Sequence, residues 1–193
     1  GGRDIFVAKM TTAGVFQWIK KAGGAAEDQG YGISNDPAGN VYVTGTTNST
    51  NFPLQNLVGA YNQTIYGGAQ GDAFFLKFNL SGVRQWATYY GGNGEDSGQD
   101  IAADVFGNIY ATGYTAASNF PLQVLAGAYN QGFIGGSPMP YDIFILRFNA
   151  SGACLWATLY GGNNYDYGYA ITVDGTGYIY VTGGTGSTNF PIQ

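Results

Sequence analysis

Nine of the twelve acidic side chains fall into three columns: Asp4, Asp72 and Asp142; Asp28, Asp96 and Asp166; Asp36, Asp104 and Asp174. Carboxylates in this number offer three chemistries: capture of backbone N–H groups in turns, coordination of a hard cation, and acid–base catalysis. Asp36, Asp104 and Asp174 each stand three residues before a Gly, in "DPAGN", "DVFGN" and "DGTGY". There an Asx-type turn uses the carboxylate as an acceptor, so a structural role is expected. Asp28, Asp96 and Asp166 lie in the Gly-rich stretches "GGAAEDQG", "GGNGEDSG" and "GGNNYDYG", with Glu27 and Glu95 beside two of them. Ca²⁺ takes several carboxylate and carbonyl oxygens around one point. No alternating Asp-x-Asp-x-Asp-Gly loop is present, so a structural Ca²⁺ at this column stands as the alternative to a solvated, hydrogen-bonded turn, and no other cofactor is expected.

Other catalytic chemistry is largely excluded. The chain has no His and no Gly-x-Ser-x-Gly, and its one Cys, Cys154, lies two residues before Trp156 in a strand-like run. Triads, His-ligated metals and nucleophile elbows are set aside, and Cys154 reads as a small hydrophobe. A glycosidase-like pair needs two unequal carboxylates across a cleft. Repeated columns do not supply one, and Asp100, the single acidic residue found in only one copy, has no evident partner. No catalytic residue is assigned; a hydrolase or lyase would require a non-repeated polar cluster in a channel.

Composition points to the elements that hold these columns. Gly is 33 of 193 residues and aromatics are 16%, against 10% charged, which favours many short strands joined by turns. Seven Lys and Arg are scattered through a chain of net charge -5, so no basic stripe exists for nucleic acid. No apolar run approaches the ~20 residues of a membrane-spanning helix, and no membrane insertion is expected. The chain begins "GGRDIF" without Met and inside a repeat; processing or truncation is expected.

The columns recur at intervals of 68 and then 70 residues, and so do Trp18, Trp86 and Trp156. The two additional residues fall in the connection, 18 residues over 54–71 and 20 over 122–141. The repeats are therefore 4–71, 72–141 and 142–193, the last cut short, in a single domain 1–193. Each unit carries four strand-like runs, as in "DAFFLKF", "RQWATYY", "GQDIAAD" and "IYATGYT". Four antiparallel strands per unit, repeated, predict an all-β propeller.

The stretch "YYGGNGEDSGQDIAADVFGNIYATGYTAASNFP" resembles the bacterial SBBP β-propeller repeat, with its Gly-Gly, acidic-Gly patch, Asp-x-x-Gly-Asn, Tyr-x-Thr-Gly and Asn-Phe-Pro. The resemblance spans the chain in three copies. Departures are Lys20-Lys21-Ala22 in the first copy, Ala69 to Gly71 against the longer second connection, and Tyr178 where the others carry Asn40 and Asn108. It implies a part of a large secreted or cell-surface protein. By analogy with other short-repeat propellers, the run ending in Asp-x-x-Gly becomes the innermost strand. The chain then divides into an outer half-blade at 4–24, full blades at 28–92 and 96–162, and an inner half-blade at 166–187, about three blade equivalents. Three blades do not close a ring, for which about 4–8 are usual.

A propeller fold does not choose an activity. Binding residues concentrate on long loops carried by rigid scaffolds, so Phe52, Tyr61, Tyr66, Phe120, Tyr129 and Phe133 of the long connections are the expected contacts for a protein or glycan partner. The function expected is a non-catalytic extracellular or cell-surface binding or scaffold module. Its rival is self-assembly, in which the two terminal half-blades of neighbouring copies join head to tail into a dimer or filament.

Overall fold

The structure, a computed structural model, describes residues 2–68, 70–134 and 141–192. Ala69 and residues 135–140, where the two long connections differ, lie outside the described residues. Twelve antiparallel strands form four sheets: β1 (Ile5–Met10) with β2 (Phe16–Ala22); β3 (Asp28–Asn35), β4 (Val41–Thr47), β5 (Asp72–Phe78) and β6 (Arg84–Tyr90); β7 (Asp96–Ala103), β8 (Ile109–Thr115), β9 (Asp142–Phe148) and β10 (Cys154–Tyr160); β11 (Asp166–Val173) with β12 (Ile179–Thr185). Each four-stranded sheet pairs in chain order, so the Asp-led strands β3 and β7 are one edge and the Trp-bearing strands β6 and β10 the other. Strands β3, β7 and β11 pack against their counterparts in neighbouring sheets. They are the inner strands, and the ring they begin is not closed.

The cores lie between blades rather than within them. β5 sends Phe74, Leu76 and Phe78 to one side and Ala73 and Phe75 to the other, and all five are buried. Alternation along a strand sends successive side chains to opposite faces. A strand covered on both faces therefore reads as a continuous apolar run. The junction between the two full blades is filled by Phe75, Trp86, Tyr90 and Phe148: Phe148 meets the rings of Phe75 and Trp86 edge-on, each at 5.2 Å between centroids. Burying aromatic side chains of this size contributes a few kcal/mol each.

Turns are set by the Asp-x-x-Gly segments. Asp36 accepts hydrogen bonds from the Asn40 backbone N–H (2.9 Å), the Asn40 amide (2.7 Å) and the Tyr42 hydroxyl (3.0 Å), while Gly39 takes φ +79°. Asp104 repeats this with Asn108 and Tyr110. Asp174 takes the N–H groups of Thr176 and Tyr178 and the Tyr180 hydroxyl. Burial pushes the Asp36 and Asp104 carboxyls up, but the hydrogen bonds outweigh it and hold both below the usual value.

The long connections do not behave as free loops. Residues 55–63 run along β6, with Gln55 exchanging both backbone hydrogen bonds with Ala87, and Gln123 does the same with Ala157 of β10. The connection thus covers the outer edge of each blade and satisfies backbone groups that an edge strand exposes.

Candidate binding surface

That course of the chain turns five of the six expected contact residues wholly or partly inward. Phe52 and Phe120 are buried, Phe52 against Phe74 and Tyr89, Phe120 against Tyr90 and Phe144. Tyr61 lies 4.7 Å from Tyr90 between ring centroids and reaches Phe148 of the next blade. Tyr66 packs edge-on to Tyr89, and Phe133 sits half-buried against the central core. These side chains turn inward because the connection lies on the blade edge and must bury its own apolar residues there. Tyr129 is exposed on one side and packs on Tyr160 with the other. The most exposed apolar tips of the connections are aliphatic, Val58 and Ile65 in one and Val124 in the other.

The proposed cation column is also placed differently from a solvated loop. Asp28, Asp96 and Asp166 are buried. One carboxylate oxygen of each takes a backbone N–H, from Gly24, Gly92 and Gly162 at 2.7, 2.7 and 2.8 Å. Ser49 and Thr47 add hydroxyl bonds to Asp28, and Ser187 to Asp166. Among the described residues no three His, Cys, Asp or Glu side chains gather as a metal site would require. Two other isolated candidates resolve into packing. Asp100 accepts the Ile171 N–H of the next inner strand at 2.9 Å. Cys154 packs against the core, where burial pushes its thiol up and away from the thiolate.

A surface that the residue columns did not announce lies along the inner strands. Every inner hairpin carries a bulge, between Gly30 and Gly32, Gly98 and Asp100, and Gly168 and Ala170. The residue skipped by the register is Tyr31, Gln99 or Tyr169, and a bulge re-aims the side chain it carries. With Gln29, Ser97 and Tyr167 two residues earlier, and Glu27, Glu95 and Tyr165 before those, these positions form a row along each inner strand, a ridge in the first and third copies, whereas Ser97 of the second is buried. Copy by copy it reads Glu-Gln-Tyr, Glu-Ser-Gln and Tyr-Tyr-Tyr. Tyr31, Tyr165 and Tyr169 are 50%, 44% and 55% exposed.

The rows converge at the second and third copies. Tyr167 stacks nearly parallel on Tyr169, with centroids 6.1 Å apart and 8° between planes, and leans on Tyr165 at 5.9 Å. On its other side it meets Tyr114 of β8 at 4.9 Å and Tyr141 at 5.3 Å. Glu95 accepts the Tyr141 hydroxyl at 2.7 Å and the Tyr114 hydroxyl at 3.4 Å. Burial pushes Tyr114 up to about 12, against the Ser97 hydroxyl and with the charge of Glu95. Tyr114 therefore remains a neutral donor at physiological pH. The surface offers stacking planes, hydroxyl donors and two carboxylates, Glu27 and Glu95. It contains neither His nor Cys. Its signal in the sequence is disagreement between copies at fixed positions, whereas the aspartate columns are positions of agreement.

Comparison with known families agrees with this architecture. The β-propeller repeat SBBP matches at residues 17–53, 85–121 and 155–191, more than half of the chain. The chain belongs to the SBBP β-propeller repeat family. Each SBBP match runs from the outermost strand of one blade through the inner hairpin of the next, so the family unit straddles a blade junction. The chain is also similar to the uncharacterized WD repeat-containing protein L264 of Acanthamoeba polyphaga mimivirus, at 26% identity over 182 residues, covering 81% of this chain and 13% of that protein.

Proposed function

We propose that this SBBP segment is a non-catalytic protein-interaction module of an extracellular or cell-surface protein, and that its contact surface is the tyrosine ridge of the inner strands. The observation that carries the reading is the copy-specific row of exposed Tyr165 and Tyr169 with half-buried Tyr167 between them, beside Glu95, on a framework whose aspartate columns repeat. Likeness to a WD repeat-containing protein supports an interaction role. Tyrosines bring large rigid contact area at low entropic cost and dominate many interfaces. Glu27 and Glu95, on a chain of net charge -5, favour a basic polypeptide.

The test is selection of displayed peptides on the immobilised chain, followed by affinity measurement with the combined Tyr165→Ala, Tyr167→Ala and Tyr169→Ala variant. Basic peptides should be enriched and should lose at least about tenfold in affinity, the scale of one hot-spot residue. Equal affinity for the triple variant, with its circular dichroism unchanged, would sink the proposal, as would preferential binding of neutral oligosaccharides.

One observation favours a second reading, self-association. Among the described residues β12 pairs only with β11 and β1 only with β2. In the full blades the corresponding strands pair Val41 with Phe78 through Thr47 with Asp72, and Ile109 with Phe148 through Thr115 with Asp142. The same register would set Ile179 opposite Met10 and Thr185 opposite Asp4 of an adjoining unit. Light scattering decides it: a folded 20.3 kDa monomer at high concentration removes this reading.

A further inference from the structure

The first and second aspartate columns, separate in sequence, meet in pairs across every blade junction. A Cβ placed on Gly91 would stand 3.0 Å from the carboxyl carbon of Asp96 and 3.1 Å from that of Asp72. Gly161 bears the same relation to Asp142 and Asp166, and Gly23 to Asp4 and Asp28. The first Gly of each Gly-Gly thus leaves room for two carboxyl groups.

At the central junction both members are fully buried, Asp72 and Asp96 at 0% exposure. Oδ2 of Asp72 takes the Gly67 N–H at 2.9 Å and Oδ2 of Asp96 the Gly92 N–H at 2.7 Å. Oδ1 of each makes no hydrogen bond of good geometry, although the Thr115 hydroxyl stands near the Asp96 carboxyl and the Gly68 N–H near that of Asp72. The titratable groups facing the pair are Tyr61 and Tyr66 of the connection, Tyr89 of β6 and Glu95 ahead of β7. None is a cation. Two adjacent buried carboxylates without a countercharge do not both ionise, and such a pair titrates as a unit.

We propose that Asp72 and Asp96 hold one proton between them at neutral pH, so that the joint between the two full blades is tightened by acid and loosened by alkali. The proton turns one orphaned acceptor into a donor and removes one of two like charges from the junction. Burial pushes Asp72 up to about 6 against the Gly67 and Gly68 N–H groups. Burial, with the charges of Asp72 and Glu95, pushes Asp96 up to about 7, against the Thr115 hydroxyl and the Gly92 N–H. Folded values above the unfolded ones mean that this stabilisation is complete below about pH 4. It is lost as pH rises through about 6 to 7.

The experiment is thermal unfolding of the chain and its Asp96→Asn variant from pH 5 to pH 8, with EDTA and with added CaCl₂. The melting midpoint of the unaltered chain should fall by at least about 3 °C across that range. Asn, which donates a hydrogen bond without titrating, should flatten the slope and raise the midpoint at pH 8. An unchanged slope in the variant would overturn the proposal, and so would a CaCl₂-dependent rise at pH 8 that the variant lacks, which would assign the pair to a metal. Should Asp96→Asn fail to fold, carboxyl-carbon NMR of the unaltered chain decides: one aspartate should titrate above pH 6, and titration of all ten below pH 5 would overturn it.

Discussion

In the first blade junction Lys21 reaches Asp4, with the ammonium 2.5 Å from a carboxylate oxygen; in the second, Tyr89 occupies the equivalent position and Asp72 faces Asp96 with no cation. The same two aspartate columns are therefore handled in two ways. At the terminal half-blade the pair is partly open to solvent, and a flexible, exposed Lys supplies a countercharge. Between full blades, aromatic packing takes the place that a charged side chain would need. Trp18 and Trp86 show the same contrast, for Trp86 is buried and Trp18 only partly so. A repeated residue thus has an energetic role that depends on how completely its copy is enclosed.

Large truncations should sharpen that contrast most. Trp86→Ala is expected to cost about 3–5 kcal/mol, because it opens a cavity under Phe75 and Phe148, and Trp18→Ala markedly less; chemical denaturation of both variants measures the gap. Equal losses would mean that enclosure does not differ between the copies. Gly91→Ala comes next, since its methyl would stand 2.5 Å from a carboxylate oxygen of Asp96, and a loss of about 1–3 kcal/mol is expected from overpacking. Asp104→Ala removes a half-buried turn acceptor and should cost about 1–2 kcal/mol at pH 7. Because the folded Asp104 value is lowered, that contribution is present above about pH 4 and lost as pH falls below it. Lys21→Ala should change stability by less than about 1 kcal/mol, as exposed ion pairs do, and a larger effect would place the first junction in the same class as the second.

Much of the architecture was legible because repetition registers strands without knowledge of their contacts. The 68- and 70-residue offsets, with turns at Asp-x-x-Gly, lead directly to sheets of two, four, four and two strands. The site was less legible for three physical reasons. The connections look like loops because Asn, Pro and Gly punctuate them, yet Gln55 and Gln123 pair with strand edges and draw Phe52 and Phe120 inside. The Asp72 and Asp96 pairing depends on which blade stands beside which, information that spacing along one chain does not contain. The tyrosine ridge depends on a one-residue bulge, which turns Tyr31, Gln99 and Tyr169 out of the alternation that a regular strand would impose.

The covering of β6 and β10 by their own connections has a consequence for crowding. A blade whose outer backbone is already paired gives no template for strand exchange with unrelated chains. New blades can be added in only one direction, around the ring. A full blade added to such an array would bring the cover for its own outer edge with it.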